Sequence, residues 1–76
     1  MASLSDLTPR ELEILQLVIA GNTNKAIARQ IYISEKTVEF HLDHIYTKIG
    51  ERTRLMAGIW AIKHGMDQAE AREIPS

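Results

Sequence analysis

Residues 24–50, NKAIARQIYISEKTVEFHLDHIYTKIG, decide how the rest of the chain is read. At roughly 100° per residue, Val38, Leu42, Ile45 and Ile49 fall on one narrow stripe. Lys36, Phe40, Asp43 and Thr47 fall on the opposite side, flanked by Glu39 and His44. This pattern describes a helix with one core face and one free face. Ser34 is its natural N-cap, because the hydroxyl can accept from the first unpaired backbone N–H groups. Ile33 and Val38 stand at the two ends of a hydrophobic staple, which fixes the angle at which the chain enters the helix. Gly50 closes it by taking a positive φ at little cost. A shorter helix precedes it, from about 24 to 31. It points Ile27 and Ile31 inward, with Ala28 small enough for close helix approach. Tyr32 and Ile33 form the turn. Two helices so joined are a helix-turn-helix, and the second is a DNA-reading element by default.

Upstream, Leu7-Thr8-Pro9-Arg10-Glu11 is a helix start. Thr8 is the N-cap, Pro9 suits the first helical position and Glu11 completes a capping box. Leu12, Leu15, Val18 and Ile19 then predict a core stripe ending at Gly21, with Glu11 on its edge. A carboxylate there needs a donor, or it suffers desolvation. Asn22 and Thr23 form a loop, with Thr23 capping the next helix. Downstream, Glu51 and Arg52 connect to a cap at Thr53 and a fourth helix from Arg54 to about His64. Leu55, Ile59, Ile62 and Met66 are expected in the core. Ala57, Trp60, Ala61 and His64 form a second set on another side. The expected fold is all-α: four helices around a small core, the third being the recognition helix. Residues 1–6 have no periodicity and are expected to be a disordered N-terminal segment. Residues 7–66 form the domain, with the motif at about 24–43, and 67–76 form a polar tail.

At 76 residues the chain is one small domain, near the lower limit for a core without staples. The length fits a stand-alone protein or a piece of a longer one. It has no cysteine, which excludes disulfides and thiolate metal sites. No apolar run is long enough to span a membrane and no signal segment opens the chain, so a cytoplasmic location is expected. The net charge is −1, where DNA-binding domains are usually basic. Part of the deficit lies in the tail: Asp67, Glu70, Glu73 and Arg72 give it a net −2, leaving residues 1–66 at +1. DNA binding would therefore depend on where the charges sit, and on doubling them by dimerisation.

The residues resemble the LuxR-type (GerE-type) DNA-binding domain of bacterial transcription regulators. The matching pieces are LTPRELEIL at 7–15, Gly21, NKAIA at 24–28, IS at 33–34, TVEFH at 37–41, IYTKIG at 45–50, Arg54 and Ala57. The resemblance implies a four-helix domain whose third helix enters the major groove and whose fourth often forms a homodimer. It implies sequence-specific binding of double-stranded DNA, regulation of transcription and no enzymatic activity. RNA polymerase is a further candidate partner. A receiver domain, as in response regulators, or a ligand pocket would precede residue 1. The chain departs from the family pattern at Glu39, where Lys or Arg is most common. It also departs at Asp43, where some members carry a cation, and at Glu51, which replaces a small apolar residue.

The candidate DNA contacts follow. Lys25, Lys36 and Lys48 are suited to phosphates, which take most protein–DNA hydrogen bonds. Asn24 and Thr37 lie near helix N-termini, where backbone N–H groups favour an anion. Glu39, Phe40 and Asp43 face outward on the recognition helix. A carboxylate can accept from cytosine N4, and Phe40 can cover a thymine methyl. Ala57, Trp60, Ala61 and His64 are the expected dimer interface, with Trp60 as anchor. A partly buried Glu11–Arg54 salt bridge is expected to tie the first helix to the last. His41 and His44 are three apart, but no third and fourth ligand stands at useful spacing, so no metal is expected. No nucleophile with a base and no Gly-rich loop appears, so neither a catalytic site nor a cofactor is expected.

Two alternatives remain at this stage. Region four of a sigma factor shares the motif, but would carry a basic, Ser-Arg-rich run after Thr37-Val38. This chain has Glu-Phe-His-Leu-Asp-His. A protein-interaction or dimerisation module on the same fold is favoured by the acidic recognition face.

Overall fold

Every described α-helix starts at a Ser or Thr hydroxyl. In the computed structural model, which describes residues 1–66, Thr8 accepts from the Glu11 N–H at 3.1 Å and Thr23 from Ala26 at 3.1 Å. Ser34 accepts from Thr37 at 3.0 Å and Thr53 from Met56 at 3.1 Å. Each cap satisfies one of the N–H groups that a helix start leaves unpaired. The helices they open are α1 (Pro9–Ile19), α2 (Asn24–Ile31), α3 (Glu35–Ile49) and α4 (Arg54–Lys63). The fold is all-α, as expected, with no strand among the described residues.

The helices end as locally as they begin. Gly50 closes α3 in the left-handed conformation at φ 76°. Tyr32 closes α2 in the same region, at φ 61° and ψ 46°, although it has a side chain. Its own N–H and that of Ile33 both return to the Ala28 carbonyl, so the turn is hydrogen-bonded throughout. The segment 1–6, expected to be disordered, instead holds a 3-10 turn at Leu4–Asp6. The Ser3 N–H donates to the Asp6 carboxylate at 2.8 Å, and Ala2 and Leu4 rest half-buried on the core. A single turn leaves no periodicity to read in the sequence. The tail at 67–76 lies outside the described residues.

α3 packs against α1 and α2, and α4 packs against α1. The core comprises Leu7, Ile14, Leu15, Val18, Ile27, Ala28, Ile31, Val38, Leu42, Ile45, Ile49, Ala57, Trp60, Ala61 and Met66. Each large aliphatic side chain removed from water contributes roughly 1.5–3 kcal/mol. The α3 stripe is buried as expected. In α1 the buried face is rotated from expectation: Ile14 is fully buried, and Leu12 and Ile19 only half-buried.

The largest correction is α4, whose two apolar sides are exchanged. Ala57 and Ala61 are fully buried and Trp60 is only 8% exposed, whereas Leu55 is 72% and Ile62 55% exposed. Ile59 and Met56 also lie on the surface. Only Met66 of the expected core set is buried, folded back by a turn in which its N–H donates to the Ala61 carbonyl. The physical reason is the anchor at the helix start. The Arg54 guanidinium donates to the Asn22 carbonyl at 2.6 Å and to Asn24 Oδ1 at 2.7 Å. Residues 54, 57 and 61 share one face at helical spacing, so fixing Arg54 inward turns Ala57 and Ala61 inward too. The small alanines allow close approach, and Trp60 fills the remaining volume.

Candidate nucleic-acid interface

The outward side of α3 presents Lys36, Glu39, Phe40 and Asp43 around one shallow groove. All four are exposed. They stand there because the opposite stripe is locked in the core. Phe40 is 58% exposed, and its ring lies on His44 with centroids 4.4 Å apart. A second, edge-on contact to His41 spans 6.1 Å. The phenyl is thus braced by two imidazoles along its own helix and open to contact. Thr37 is half-buried, with its hydroxyl 2.9 Å from that of Ser34.

α2 brings its first turn to the same side. Asn24 lines a small cleft with Glu39, Leu42, Asp43, Tyr46 and Arg54. Lys25, next to it, is exposed. The start of α2 and the middle of α3 therefore form one surface, on which five of the eight expected DNA contacts meet: Asn24, Lys36, Glu39, Phe40 and Asp43. Burial pushes the Tyr46 phenol up, with Arg54 pulling it down and Asp43 pushing it further up. Both charges thus act on the floor of this cleft.

Lys48 does not belong to this surface. Its ammonium lies 2.7 Å from Glu11 Oε1. The same oxygen accepts from the Thr8 N–H at 2.9 Å. Glu11 is buried at 4% exposure, and this burial pushes its carboxyl up. The Lys48 and Thr8 hydrogen bonds outweigh that effect and hold the carboxyl below the usual carboxylate range. The expected Glu11–Arg54 pair is therefore replaced by Glu11–Lys48. Lys48 sits in the last turn of α3, level with the start of α1, while Arg54 is drawn to the loop before α2. Among the described residues the other ion pair is Arg10–Glu13, on the surface.

The expected dimer residues Ala57, Trp60 and Ala61 are core side chains and form no surface. His64 is exposed, but its ring stacks on Trp60 at 4.1 Å and its Nδ1 lies 2.8 Å from the Trp60 carbonyl. The free apolar side of α4 is the opposite one. There Leu55, Gly58, Ile59 and Ile62 join Val18 and Ile19 of α1 around an open groove of about 490 Å³.

Sequence reasoning passed over one cation and gave another the wrong partner. Arg52 lines an open groove with Asp43, Tyr46, Thr47 and Glu51. Nothing in its spacing marked it. Arg54 was assigned to Glu11, although its i, i+3, i+7 relation to Ala57 and Ala61 was readable. Among the described residues, no group of three His, Cys, Asp or Glu side chains stands together as a metal site. No described helix is long and apolar enough to cross a membrane.

Comparison with known proteins places this geometry. Residues 5–61 match the family model described as bacterial regulatory proteins, luxR family. The transcriptional regulatory protein LnrK of Bacillus subtilis is 41% identical over 63 residues, covering 83% of this chain and 29% of LnrK. The nitrate/nitrite response regulator protein NarL of Escherichia coli is 42% identical over 57 residues, covering 75% of the chain and 26% of NarL. The oxygen regulatory protein NreC of Staphylococcus aureus is 46% identical over 57 residues, again 75% of the chain and 26% of the relative. The chain thus spans less than a third of the length of these relatives.

Proposed function

The chain belongs to the luxR family of bacterial regulatory proteins, and from that premise we propose that it binds a specific double-stranded DNA sequence to regulate transcription. The observation that carries this reading is the single surface formed by α3 and the first turn of α2. A helix whose far side is locked in a core is a rigid probe for the major groove. The DNA-binding unit is residues 7–66, with the motif at 24–43. Lys25 and Lys36 contact phosphates, joined by Asn24 and Thr37 at the helix starts. Glu39 and Asp43 reach base edges, where a carboxylate accepts from cytosine N4. Phe40 covers a thymine methyl.

The proposed assembly is a homodimer through α4, on the face of Leu55, Ile59 and Ile62 rather than that of Trp60. A contiguous apolar patch of this kind is a common mark of an interface. Pairing two copies would also double a weak positive field. The domain then acts in the bacterial cytoplasm, and RNA polymerase is a candidate partner. A regulatory family agrees with the expectation of no enzymatic activity. It also replaces the sigma-factor alternative.

The test is a binding titration of the chain on a selected and a scrambled duplex at several salt concentrations. Specific binding gives a selected site at least a thousandfold tighter than its scrambled partner, with affinity falling steeply as salt rises. A protein-interaction module is the second reading, favoured by exposed Glu35, Glu39 and Asp43 on α3. Absence of binding to any duplex at low salt establishes that reading instead.

A further inference from the structure

Arg54 is a half-buried cation that has no carboxylate within ion-pair distance among the described residues. Its guanidinium is spent on two neutral acceptors: the Asn22 carbonyl at 2.6 Å and the Asn24 side chain at 2.7 Å. Asn22 is itself held at both ends of its side chain. Its Nδ2 donates to the Leu17 carbonyl at 2.9 Å, and its Oδ1 accepts from Gln30 Nε2 at 2.8 Å. A chain of hydrogen bonds therefore runs from the end of α1, through the loop and α2, to the start of α4.

This arrangement sets the direction of one amide. Arginine only donates, so the Asn24 atom facing it must be the carbonyl oxygen. The Asn24 NH₂ group is then at the far end of a planar amide that has no freedom to flip. Among the described residues that NH₂ has no acceptor, and Asn24 lines the cleft that Glu39, Leu42, Asp43 and Tyr46 of α3 also line. A second prong on the Asn22 carbonyl fixes the guanidinium, and a planar two-pronged group holds such a geometry where a lysine ammonium does not.

We infer that Arg54 is a positioning residue for DNA binding: it holds the Asn24 amide so that its NH₂ donates to a backbone phosphate. The inference rests on the proposal that Asn24 contacts DNA. It extends that proposal to a residue on α4, remote in sequence from the motif. It also gives Arg54 a role in place of the ion pair with Glu11.

The experiment is a double-mutant cycle on the full 76-residue chain, read by duplex binding at several salt concentrations and by thermal unfolding. The variants are Asn24→Ala, Arg54→Lys and the two combined. Asn24→Ala is expected to weaken binding about tenfold, the effect of one hydrogen bond to a charged acceptor. The salt dependence stays unchanged, because a neutral donor displaces no counterion. Arg54→Lys keeps the charge but loses the fork, so it weakens binding to a similar degree. In the Asn24→Ala background the Arg54→Lys effect on binding is expected to vanish, since coupled residues are not additive. A purely structural Arg54 instead lowers the melting temperature and weakens binding equally in both backgrounds, which overturns the inference. An Arg54→Lys variant that binds like wild type overturns it too, because direct phosphate contact by the cation then suffices.

Asn24→Asp guards against a variant that fails to fold. Its carboxylate still accepts from Arg54 and keeps the loop anchored, but the outward donor is gone. It is expected to melt no lower than wild type and to bind at least tenfold more weakly. Undiminished binding by Asn24→Asp also refutes the inference. A wild-type chain that binds no duplex removes the DNA reading together with the inference, whereas binding with an additive cycle removes only the role of Arg54.

Discussion

Lys48 of α3 reaches the Glu11 carboxylate of α1, with Nζ 2.7 Å from Oε1 across 37 residues of sequence. The carboxylate also closes the Thr8 capping box, so one oxygen serves a helix start and a tertiary tie. Breaking a fully buried pair by removing one partner costs ~3–5 kcal/mol. Here the Lys48 end is partly solvated, and Lys48→Met is expected to cost about half of that. The Glu11 carboxyl is held below its ordinary range in the fold. Its contribution is therefore complete above the unfolded value of about 4.3 and is lost as pH falls through the lower folded value. Thermal unfolding of wild type and Glu11→Gln from pH 7 to pH 2 checks this. The gap between the two is expected to narrow on acidification, and a constant gap would show that the pair contributes nothing.

The two sides of α4 are expected to behave oppositely. Trp60→Ala opens the core and costs ~3–5 kcal/mol, a large part of the stability of a domain this small. Leu55→Ser combined with Ile62→Ser should leave the fold within about 1 kcal/mol of wild type, while abolishing self-association. Sedimentation velocity with and without duplex DNA reads the second effect. Dimers that survive the double substitution place the interface elsewhere.

Glu39→Lys tests base reading. A carboxylate repels phosphates and is tolerable at this surface only when it points into the groove. The substitution is expected to raise affinity for scrambled duplex and to steepen the salt dependence by about one phosphate contact. It should also relax discrimination at one base pair by ~1–3 kcal/mol. If selected and scrambled duplexes tighten equally, Glu39 reads no base.

Tyr32→Gly is expected to stabilise the domain by roughly 0.5 kcal/mol. Relief of a left-handed residue, about 1–2 kcal/mol, exceeds the added unfolded-state entropy of glycine, about 0.4–1 kcal/mol. Tyr32 is 92% exposed, so little packing is lost. A denaturant midpoint that falls instead would show that the ring stabilises the turn.

The sequence revealed what was local. The caps at Thr8, Thr23, Ser34 and Thr53, the Glu11 capping box and the α3 stripe each follow from residues within a turn or two of one another. The surface shared by Asn24, Lys36, Glu39, Phe40 and Asp43 was legible for the same reason, since a helix-turn-helix fixes both helices through one short turn. What failed was long-range. The sequence reading paired Glu11 with Arg54 and gave Lys48 to DNA, and only the packing of α3 on α1 selects Lys48 instead. α4 is apolar on two sides, so its periodicity admits two rotations. The sequence reading put Leu55 and Ile62 in the core. The hydrogen bonds of Arg54 to a loop some thirty residues away decided for Ala57 and Ala61.

The four caps also bear on the order in which the chain folds. Each helix start is specified within three residues, so each helix begins at its final position before distant segments meet, and packing then makes it stable. A helical domain with mainly local contacts is expected to fold within microseconds to milliseconds. The ties that span the chain, Lys48 to Glu11 and Arg54 to Asn22, are expected to close only after the helices have docked. Interactions absent from the transition state act on the unfolding rate alone. Loss of either tie should therefore shorten the lifetime of the folded state while leaving its rate of formation nearly unchanged.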